Sequence, residues 1–229
     1  MNTAFLPRLD ILPEPQQRLW PELAAIPKHF VLYGGTALAL RLGHRDSIDF
    51  DFFSQQAFQP MVLLQSLPLL KNAKIIQSEA NTLTCLVDRK GDVKLSFFGL
   101  PNIATINPPD VSPDNGLKVA SLLDLAGTKA AVVQQRAQAK DYLDIDALIS
   151  AGISLEEALS AAALIYGEMF APTPTIKALA YFDDGDLAGV PENVRRRLIA
   201  ATTAVDPTKL PALQRDTNKN RNDPTDDRE

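Results

Sequence analysis

Residues 30–54 constrain the fold of this chain most, because a short apolar run there leads into a glycine turn and then into two alternating acids. The run Phe30–Tyr33 predicts a buried strand that ends at Gly34 and Gly35. Helical apolar spacing begins at Thr36. Unpaired backbone N–H groups at such a helix N-terminus attract phosphate, and the missing Cβ atoms let it approach closely. We therefore expect the two glycines and Thr36 to hold a triphosphate.

Asp49 and Asp51 follow this turn, with twelve residues between Thr36 and Asp49. They alternate with apolar residues at positions 48, 50 and 52, which predicts a strand with both carboxylates on one face and the apolar residues on the other. Neighbouring carboxylates repel unless a cation lies between them, and Mg²⁺ is commonly held by carboxylates together with substrate phosphates. A lone Asp-x-Asp is usually a solvated strand face. After the glycine turn, however, we expect both residues to bind Mg²⁺, or alternatively Mn²⁺, with a nucleoside triphosphate (NTP) as substrate.

The glycine turn, the spacing and the Asp-x-Asp together resemble the first motif of the nucleotidyltransferase superfamily that has a polymerase-beta-like palm. The wording of residues 34–54, GGTALALRLGHRDSIDFDFFS, is more narrowly similar to the AbiEii/AbiGii toxin family, the nucleotidyltransferase-like toxins of type IV toxin–antitoxin and phage-defence systems. Thr128–Ile149 and Ile176–Asp186 are similar to two further segments of that family. The resemblance covers Phe30 to about Pro191.

This resemblance implies an α+β fold, in which a palm made of a mixed sheet with flanking helices is followed by an all-helical C-terminal domain. It also implies an activity. A magnesium-dependent enzyme would move a nucleoside monophosphate from an NTP to a hydroxyl acceptor on tRNA or protein, and a separately encoded antitoxin would oppose it. Two alternatives stay open: a non-catalytic nucleotide-binding module, and a transferase that modifies a small molecule such as an antibiotic.

Lys129, Arg136 and Lys140 supply positive charge in the helical half of the chain. On one uninterrupted helix their spacing would place them within about 40° of one another, as a basic stripe. Such a stripe is more often a solvated face than a binding site. The family resemblance favours Lys129 as a lysine that reaches substrate phosphates, with Arg136 and Lys140 as nucleotide-binding residues.

Asp141 and Asp144 have two interpretations. Locally, Asp141 would be the N-cap of a helix, and Asp144 would favour the positive end of the helix dipole. The family resemblance instead implies that Asp144 orients the nucleotide, Lys129 or the attacking hydroxyl, with Asp141 beside the nucleotide. Asp146 is also available for that role.

Arg45 stands just before the acidic strand, where it could contact the nucleotide, and Arg41 is a weaker candidate for the same contact. His44 could equally pack against the sheet. Segment 181–184, which reads YFDD, also matches the family. We interpret it as structural, because aromatic residues at the end of an apolar helix usually belong to the core.

One residue departs from the superfamily pattern. Thr82–Val87 and Val93–Gly99 predict a hairpin, and its second strand is where a third carboxylate commonly stands. Ser96 occupies that place, and serine is a poor metal ligand that cannot act alone as a general base. Either two carboxylates suffice, or another group such as Asp92 contributes, or nucleotide is bound without efficient turnover.

The organisation along the chain predicts a palm in residues 1–114, a helical domain in residues 115–205 and a disordered polar tail in residues 206–229. The boundary follows the proline-rich segment Pro101–Pro113. Outside the motifs we expect a strand at Lys74–Gln77 and helices at Pro15–Ile26, Pro60–Leu70, Ser121–Gln138, Asp141–Ala151, Ser154–Tyr166, Thr175–Phe182 and Glu192–Ala204.

Composition fits a cytoplasmic protein with no membrane partner. The 229 residues are 45% hydrophobic, but no leader opens the chain and no apolar run approaches the length of a membrane span. The single cysteine, Cys85, excludes an internal disulfide and is expected to be a small buried residue. The net charge of −5 argues against broad affinity for nucleic acid, although a local basic patch could still bind RNA.

Overall fold

A computed structural model describes residues 5–215 of the chain. Its centre is a mixed seven-stranded sheet in the order β3-β4-β5-β2-β1-β7-β6. The pairs β2/β5 and β1/β7 are parallel, and the other neighbouring strands are antiparallel. The strands are β1 (Val31–Tyr33), β2 (Asp49–Ser54), β3 (Lys74–Glu79), β4 (Thr82–Asp88), β5 (Asp92–Gly99), β6 (Asp110–Val111) and β7 (Lys118–Val119).

Helices flank the sheet and make up nearly all of the chain beyond β7, so the predicted α+β class with a helical C-terminal region is confirmed. Short 3-10 helices interrupt or extend several of them. One of them, Trp20–Ala25, directly follows the first α-helix, and Pro21 lies in its first turn, where the missing N–H donor is tolerated. The α-helices are α1 (Glu14–Leu19), α2 (Gly34–Leu42), α3 (Pro60–Ser66), α4 (Leu122–Val132), α5 (Ala139–Ser150), α6 (Leu155–Tyr166), α7 (Pro172–Leu179) and α8 (Glu192–Ala204).

The central strands separate an apolar face from a polar one. Phe50 and Phe52 of β2 and Phe97 of β5 are fully buried on the apolar face, where Trp20 packs 6.4 Å from Phe50. Asp49 and Asp51 alternate with these phenylalanines, so the predicted placement of both carboxylates on one face is confirmed. The prediction for residue 48 was wrong. Ile48 precedes β2 instead of continuing its alternation, and it is 58% exposed.

The predicted hairpin of β4 and β5 is present, and Cys85 is fully buried in β4. Helix α6 begins with the predicted capping box, in which Ser154 and Glu157 exchange hydrogen bonds. Beyond the predicted boundary near residue 115, β7 still pairs with β1 in the sheet. The division into domains stays a prediction. Residues 206–215 form no helix or strand, and the rest of the predicted tail lies outside the described residues.

The predicted helix Ser121–Gln138 is wrong beyond Val132, where α4 ends. Residues 133–138 turn the chain, and Gln138 is the N-cap of α5. Contacts from elsewhere hold this turn: Asp186 accepts a hydrogen bond of 2.6 Å from the backbone N–H of Ala139, the first residue of α5. Lys140 therefore belongs to a different helix from Lys129, and a single helical stripe of basic residues does not form.

Within residues 5–215, no single helix combines the length and the apolar character needed to cross a membrane. Helices Ala139–Ser150 and Leu155–Met169 meet that requirement only as a pair bent by 114°.

At Gly127, helix α4 lies close against the backbone of α6. A Cβ atom there would lie 2.8 Å from the carbonyl carbon of Ala161 and 2.9 Å from the backbone nitrogen of Ala162. Backbone cannot move aside as a flexible side chain can. The absence of a side chain at Gly127 therefore sets the spacing of the two helices.

Gly127→Ala is expected to lower the free energy of unfolding by about 1–3 kcal/mol, because the added methyl forces α4 away from α6. Urea unfolding followed by circular dichroism measures this loss. Gly189→Ala is the matched control, since a Cβ at Gly189 meets nothing within 4 Å. Equal unfolding midpoints for the two variants would contradict the close approach.

Candidate functional site

A cavity of about 650 Å³ opens on the polar face of the sheet and brings together most of the residues singled out in the sequence. Strands β2 and β5 form its floor, the start of α2 and the loop before β2 form one wall, and α4 with the start of α5 form another. Its volume is in the range of small-molecule sites. The residues from the sequence-based prediction that line it are Gly34, Gly35, Arg45, Asp49, Asp51, Ser96, Lys129, Arg136 and Lys140.

The glycine turn begins α2 as predicted, and both glycines are required by close neighbours. Gly34 has a left-handed φ of 75°, and a Cβ there would lie 2.6 Å from Oδ2 of Asp51. At Gly35, a Cβ would collide with the guanidinium of Arg45. The two glycines thus let a carboxylate and a guanidinium approach the helix N-terminus, where backbone N–H groups are unpaired.

Thr36 is buried, and its side chain does not line the cavity. Its hydroxyl donates to the carbonyl oxygen of Asp49 and forms a second hydrogen bond, of 2.7 Å, with the hydroxyl of Ser47. These bonds connect the start of α2 to the start of β2. The side chain of Thr36 therefore positions the first carboxylate, and its predicted contact with triphosphate stays a prediction.

The carboxylates of Asp49 and Asp51 face the cavity from β2. In the parallel strand β5, Lys94 lies opposite Asp49 and Ser96 lies opposite Asp51. Burial, and next the charge of Asp49, raise the pKa of Asp51 above its ordinary value, although Lys94 and Ser96 act in the opposite direction. A divalent cation would relieve this repulsion. The donor set therefore fits a hard metal ion that takes its remaining ligands from phosphate and water.

Ser96 lies on the predicted second strand of the hairpin, and the structure adds that it stands directly opposite Asp51. It is 3% exposed and offers a hydroxyl in place of a third carboxylate. Asp92, the alternative acid, lies at the start of β5, exposed and outside the cavity lining. Within residues 5–215, no group of three or more His, Cys, Asp or Glu side chains could hold a metal ion, so a metal would rest on two carboxylates.

Lys129 does not point freely into the cavity but bridges two carboxylates of α5. Its Nζ lies 2.9 Å from Oδ1 of Asp141 and 2.6 Å from Oδ2 of Asp144. The lysine side chain is 6% exposed and both aspartate side chains are fully buried. The ammonium is thereby fixed at the cavity wall. Its single positive charge is shared between the two carboxylates, and Arg45 and Arg136 supply the remaining positive charge.

Asp144 is the centre of this network. Arg45 donates to both of its oxygens, at 2.7 and 2.9 Å, and Nε2 of His44 lies 2.7 Å from Oδ1. Burial alone would raise the pKa of Asp144, but the hydrogen bonds from His44 and Arg45 and the charge of Lys129 hold it well below its ordinary value. Asp144 therefore orients Lys129 and Arg45, one of the roles that the sequence left open for it.

Asp141 is not the N-cap of α5, which corrects the local interpretation. It lies inside the first turn, while Gln138 is the N-cap, and Asp144 lies further along the helix. Arg136 donates to both oxygens of Asp141, at 2.7 and 3.1 Å. Burial would raise the pKa of Asp141, yet Arg136 and Lys129 lower it. Neither Asp141 nor Asp144 lines the cavity, so both act on it through the cations that they hold.

Other candidates have structural contacts. Arg41 forms an ion pair of 2.8 Å with Asp110 and donates to the backbone oxygens of Val119 in β7 and of Ala120 just after it, outside the cavity lining. Asp146 pairs with Arg197 of α8. Phe182 packs against Tyr142 of α5, while Tyr181 is 55% exposed. The segment that contains them thus supports α5 from outside the cavity.

Sequence reasoning assigned no role to Lys94, Asp46 or Tyr166, all of which line the cavity. Of these three residues, Lys94 was the easiest to predict from the sequence. It shares a strand face with Ser96, and its Nζ lies 2.9 Å from Oδ2 of Asp49. Strand alternation alone places it on the cavity face, whereas Asp46 and Tyr166 reach the cavity only through the packing of the loop and of α6.

Asp144→Asn is expected to lower the free energy of unfolding at pH 7 by about 3–5 kcal/mol, because it leaves buried cations without their partner. The pKa of Asp144 is lower in the folded protein, so its stabilisation is complete above the ordinary aspartate pKa of about 3.9 and declines as pH falls below it. Urea unfolding across pH 3 to 7 measures the difference between wild type and variant.

Asp146→Asn is the matched control, because Asp146 lies on the same helix and pairs with a half-exposed arginine. Its effect should be much smaller. If the two variants lost equal stability, or if the deficit of Asp144→Asn did not shrink in acid, the buried network would not have the role assigned to it.

Comparisons with known proteins agree with this fold. The fold is similar to that of MenT4, a nucleotidyltransferase toxin from Mycobacterium tuberculosis H37Rv, with a TM-score of 0.59 and 16% identity over 83% of this chain and 82% of that one. A second solved structure, a proposed nucleotidyltransferase from H. pylori, has a TM-score of 0.48 and 18% identity over 83% of this chain and 91% of that one.

A protein of Aquifex aeolicus (strain VF5), described as uncharacterized, is 34% identical over 118 residues, 51% of this chain. The match covers 55% of that protein, so the chain spans about half the length of this curated relative. The family model described as "Nucleotidyl transferase AbiEii toxin, Type IV TA system" matches residues 19–223. Because that match includes most of the length of this chain, the chain belongs to the AbiEii family of type IV toxin–antitoxin systems.

Proposed function

We propose that the cavity binds a nucleoside triphosphate with Mg²⁺ and transfers its nucleoside monophosphate to a hydroxyl acceptor. One observation supports this most directly. The glycine turn at the start of α2 and the carboxylates of Asp49 and Asp51 open onto the same cavity as Arg136 and Lys140. Phosphate-binding groups and metal-binding groups are thereby within reach of one bound triphosphate.

In the proposed reaction the acceptor oxygen forms a bond to the α-phosphorus, the bond to the bridging oxygen breaks and pyrophosphate leaves with that oxygen, and the hydroxyl proton passes to water. Asp49 and Asp51 would hold the ion. When bound, Mg²⁺ supplies charge that stabilises the attacking and leaving oxygens. The backbone N–H groups of Gly34 and Gly35 would orient the phosphates, and Arg136 and Lys140 would stabilise the leaving pyrophosphate.

In this proposal Lys129 does not swing out to bind the substrate phosphates. Asp141 and Asp144 already balance its charge, so it would act as a fixed donor at the cavity wall and keep Arg45 and Arg136 correctly placed around the nucleotide. Such preorganised charge needs no rearrangement at the moment of reaction. The buried network thus supports catalysis through the orientation of three cations.

Biologically, the family membership supports a toxin that arrests growth until a separately encoded antitoxin counters it, in a toxin–antitoxin or phage-defence system in the cytoplasm. The acceptor in this proposal is tRNA or a protein side chain. Ser96 favours a second candidate, a nucleotide-binding module without turnover, because a hydroxyl replaces the third carboxylate beside Asp51. A small-molecule acceptor is the third outcome that the experiment must separate.

The protein is incubated with Mg²⁺, with each of four α-labelled NTPs, and with separate tRNA, protein and small-molecule fractions. We expect label transfer by wild type to fall at least about 100-fold in the double variant Asp49→Asn/Asp51→Asn, because the metal's charge stabilisation, several kcal/mol, is lost. Asp92→Asn is the control. It removes an exposed acid of the same sheet outside the cavity, and it should transfer label as wild type does.

Transfer that survives in the double variant would contradict the metal role of both carboxylates. No transfer to any fraction, with triphosphate binding intact in a parallel titration, would replace the enzyme with the nucleotide-binding module. Label in the small-molecule fraction alone would replace the macromolecular acceptor.

A further inference from the structure

Lys94 and Asp49 form an ion pair at the place where the proposed metal would bind. The two residues are directly opposite each other in the parallel pair β2/β5, and Nζ of Lys94 lies 2.9 Å from Oδ2 of Asp49. The side chains are 37% and 31% exposed. Ion pairs with this exposure contribute little to stability, so this contact can break at small cost when a stronger partner enters.

The other cations near the cavity differ from Lys94, because none of them both contacts a proposed metal ligand and can leave its partner at small cost. Lys129 bridges two fully buried carboxylates, and withdrawing it would leave both without compensation. Arg45 donates to both oxygens of one of them, Asp144. Lys140 lines the cavity and, in the part of the chain that the structure describes, pairs with no acid. Lys94 therefore combines contact with a proposed metal ligand and freedom to leave it.

From this geometry we propose that Lys94 is an exchangeable counter-charge: it neutralises Asp49 in the nucleotide-free protein and turns to the triphosphate when metal and nucleotide enter. The inference rests on the proposed function of the same cavity. Lys94 would then contact the substrate itself, because the long, flexible lysine side chain can present its compact charge to either partner.

This exchange couples metal binding to nucleotide binding. Ser96 supplies no carboxylate, so a free divalent ion meets the charges of Asp49 and Asp51, one of which Lys94 already balances. A triphosphate brings further negative charge, attracts Lys94 and leaves Asp49 to the ion. The two ligands thus strengthen each other's binding, and the metal enters effectively only with the nucleotide.

The test is a calorimetric titration of Mn²⁺ into nucleotide-free wild type, Lys94→Met and Lys140→Met. We expect Lys94→Met to bind Mn²⁺ at least about tenfold more tightly than wild type, because a positive charge next to a ligand of the ion is removed. Lys140→Met removes the same charge from the same cavity without freeing a carboxylate. Its Mn²⁺ affinity should stay within about threefold of wild type.

A second titration uses inorganic tripolyphosphate, which needs no knowledge of the base, in metal-free buffer. Lys94→Met is expected to bind it at least about fivefold more weakly than wild type, since one phosphate-binding cation is lost. Lys94→Arg retains the charge and should keep both wild-type affinities. Thermal melts establish that each variant is folded, and Lys94→Gln replaces the methionine variant if that one is not.

Equal Mn²⁺ affinity in wild type and Lys94→Met, with Mn²⁺ binding present in both, would overturn the counter-charge and leave the proposed enzyme standing. Unchanged tripolyphosphate binding would overturn the exchange in the same way. If Lys94→Met bound no Mn²⁺ without nucleotide, the counter-charge would likewise be overturned. If no form of the protein bound Mn²⁺ even with tripolyphosphate present, the metal site itself would fail, and the proposed function would fail together with this inference.

Discussion

The ammonium of Lys129, held between two buried carboxylates, is the interaction on which the rest of the site depends. It joins α4 to α5, and through Asp144 it reaches Arg45 in the loop that leads into the acidic strand. An unpaired charge at this depth would be strongly unfavourable, so each of these buried charges needs its partner once the three segments have met. The network thereby connects the helical half to the loop that leads into the sheet.

Local pattern was enough to predict the part of the site that lies on the strands. Alternation along β2 and β5 determines which side chains share a face, and the glycine turn fixes where α2 begins. These features gave the positions of Asp49, Asp51 and Ser96 without knowledge of the tertiary structure. The exposed Ile48 departs from the alternation because the strand begins one residue later than the pattern suggests.

Residues whose environment is set by distant partners could not be read from the sequence. The break after Val132 has no glycine or proline at the turn, and the contacts that hold it come from a segment almost fifty residues later. The roles of Asp141 and Asp144 likewise depend on cations from three other segments. Spacing along one helix says nothing about such contacts, which explains why the predicted basic stripe was wrong although its members still line one cavity.

The turn around Gly185 has a consequence for the chain as a whole. A side chain at Gly185 would collide with the backbone carbonyl of Ala137. The neighbouring Asp186 accepts a hydrogen bond from the backbone N–H of Ala139, the first residue of α5. This turn contributes nothing to the cavity surface, yet it supports the start of α5, whose Asp141 pairs with both Lys129 and Arg136. A shortened chain that ended before residue 185 would keep every residue that lines the cavity. It would still lose the contacts of Gly185 and Asp186 that support the start of α5.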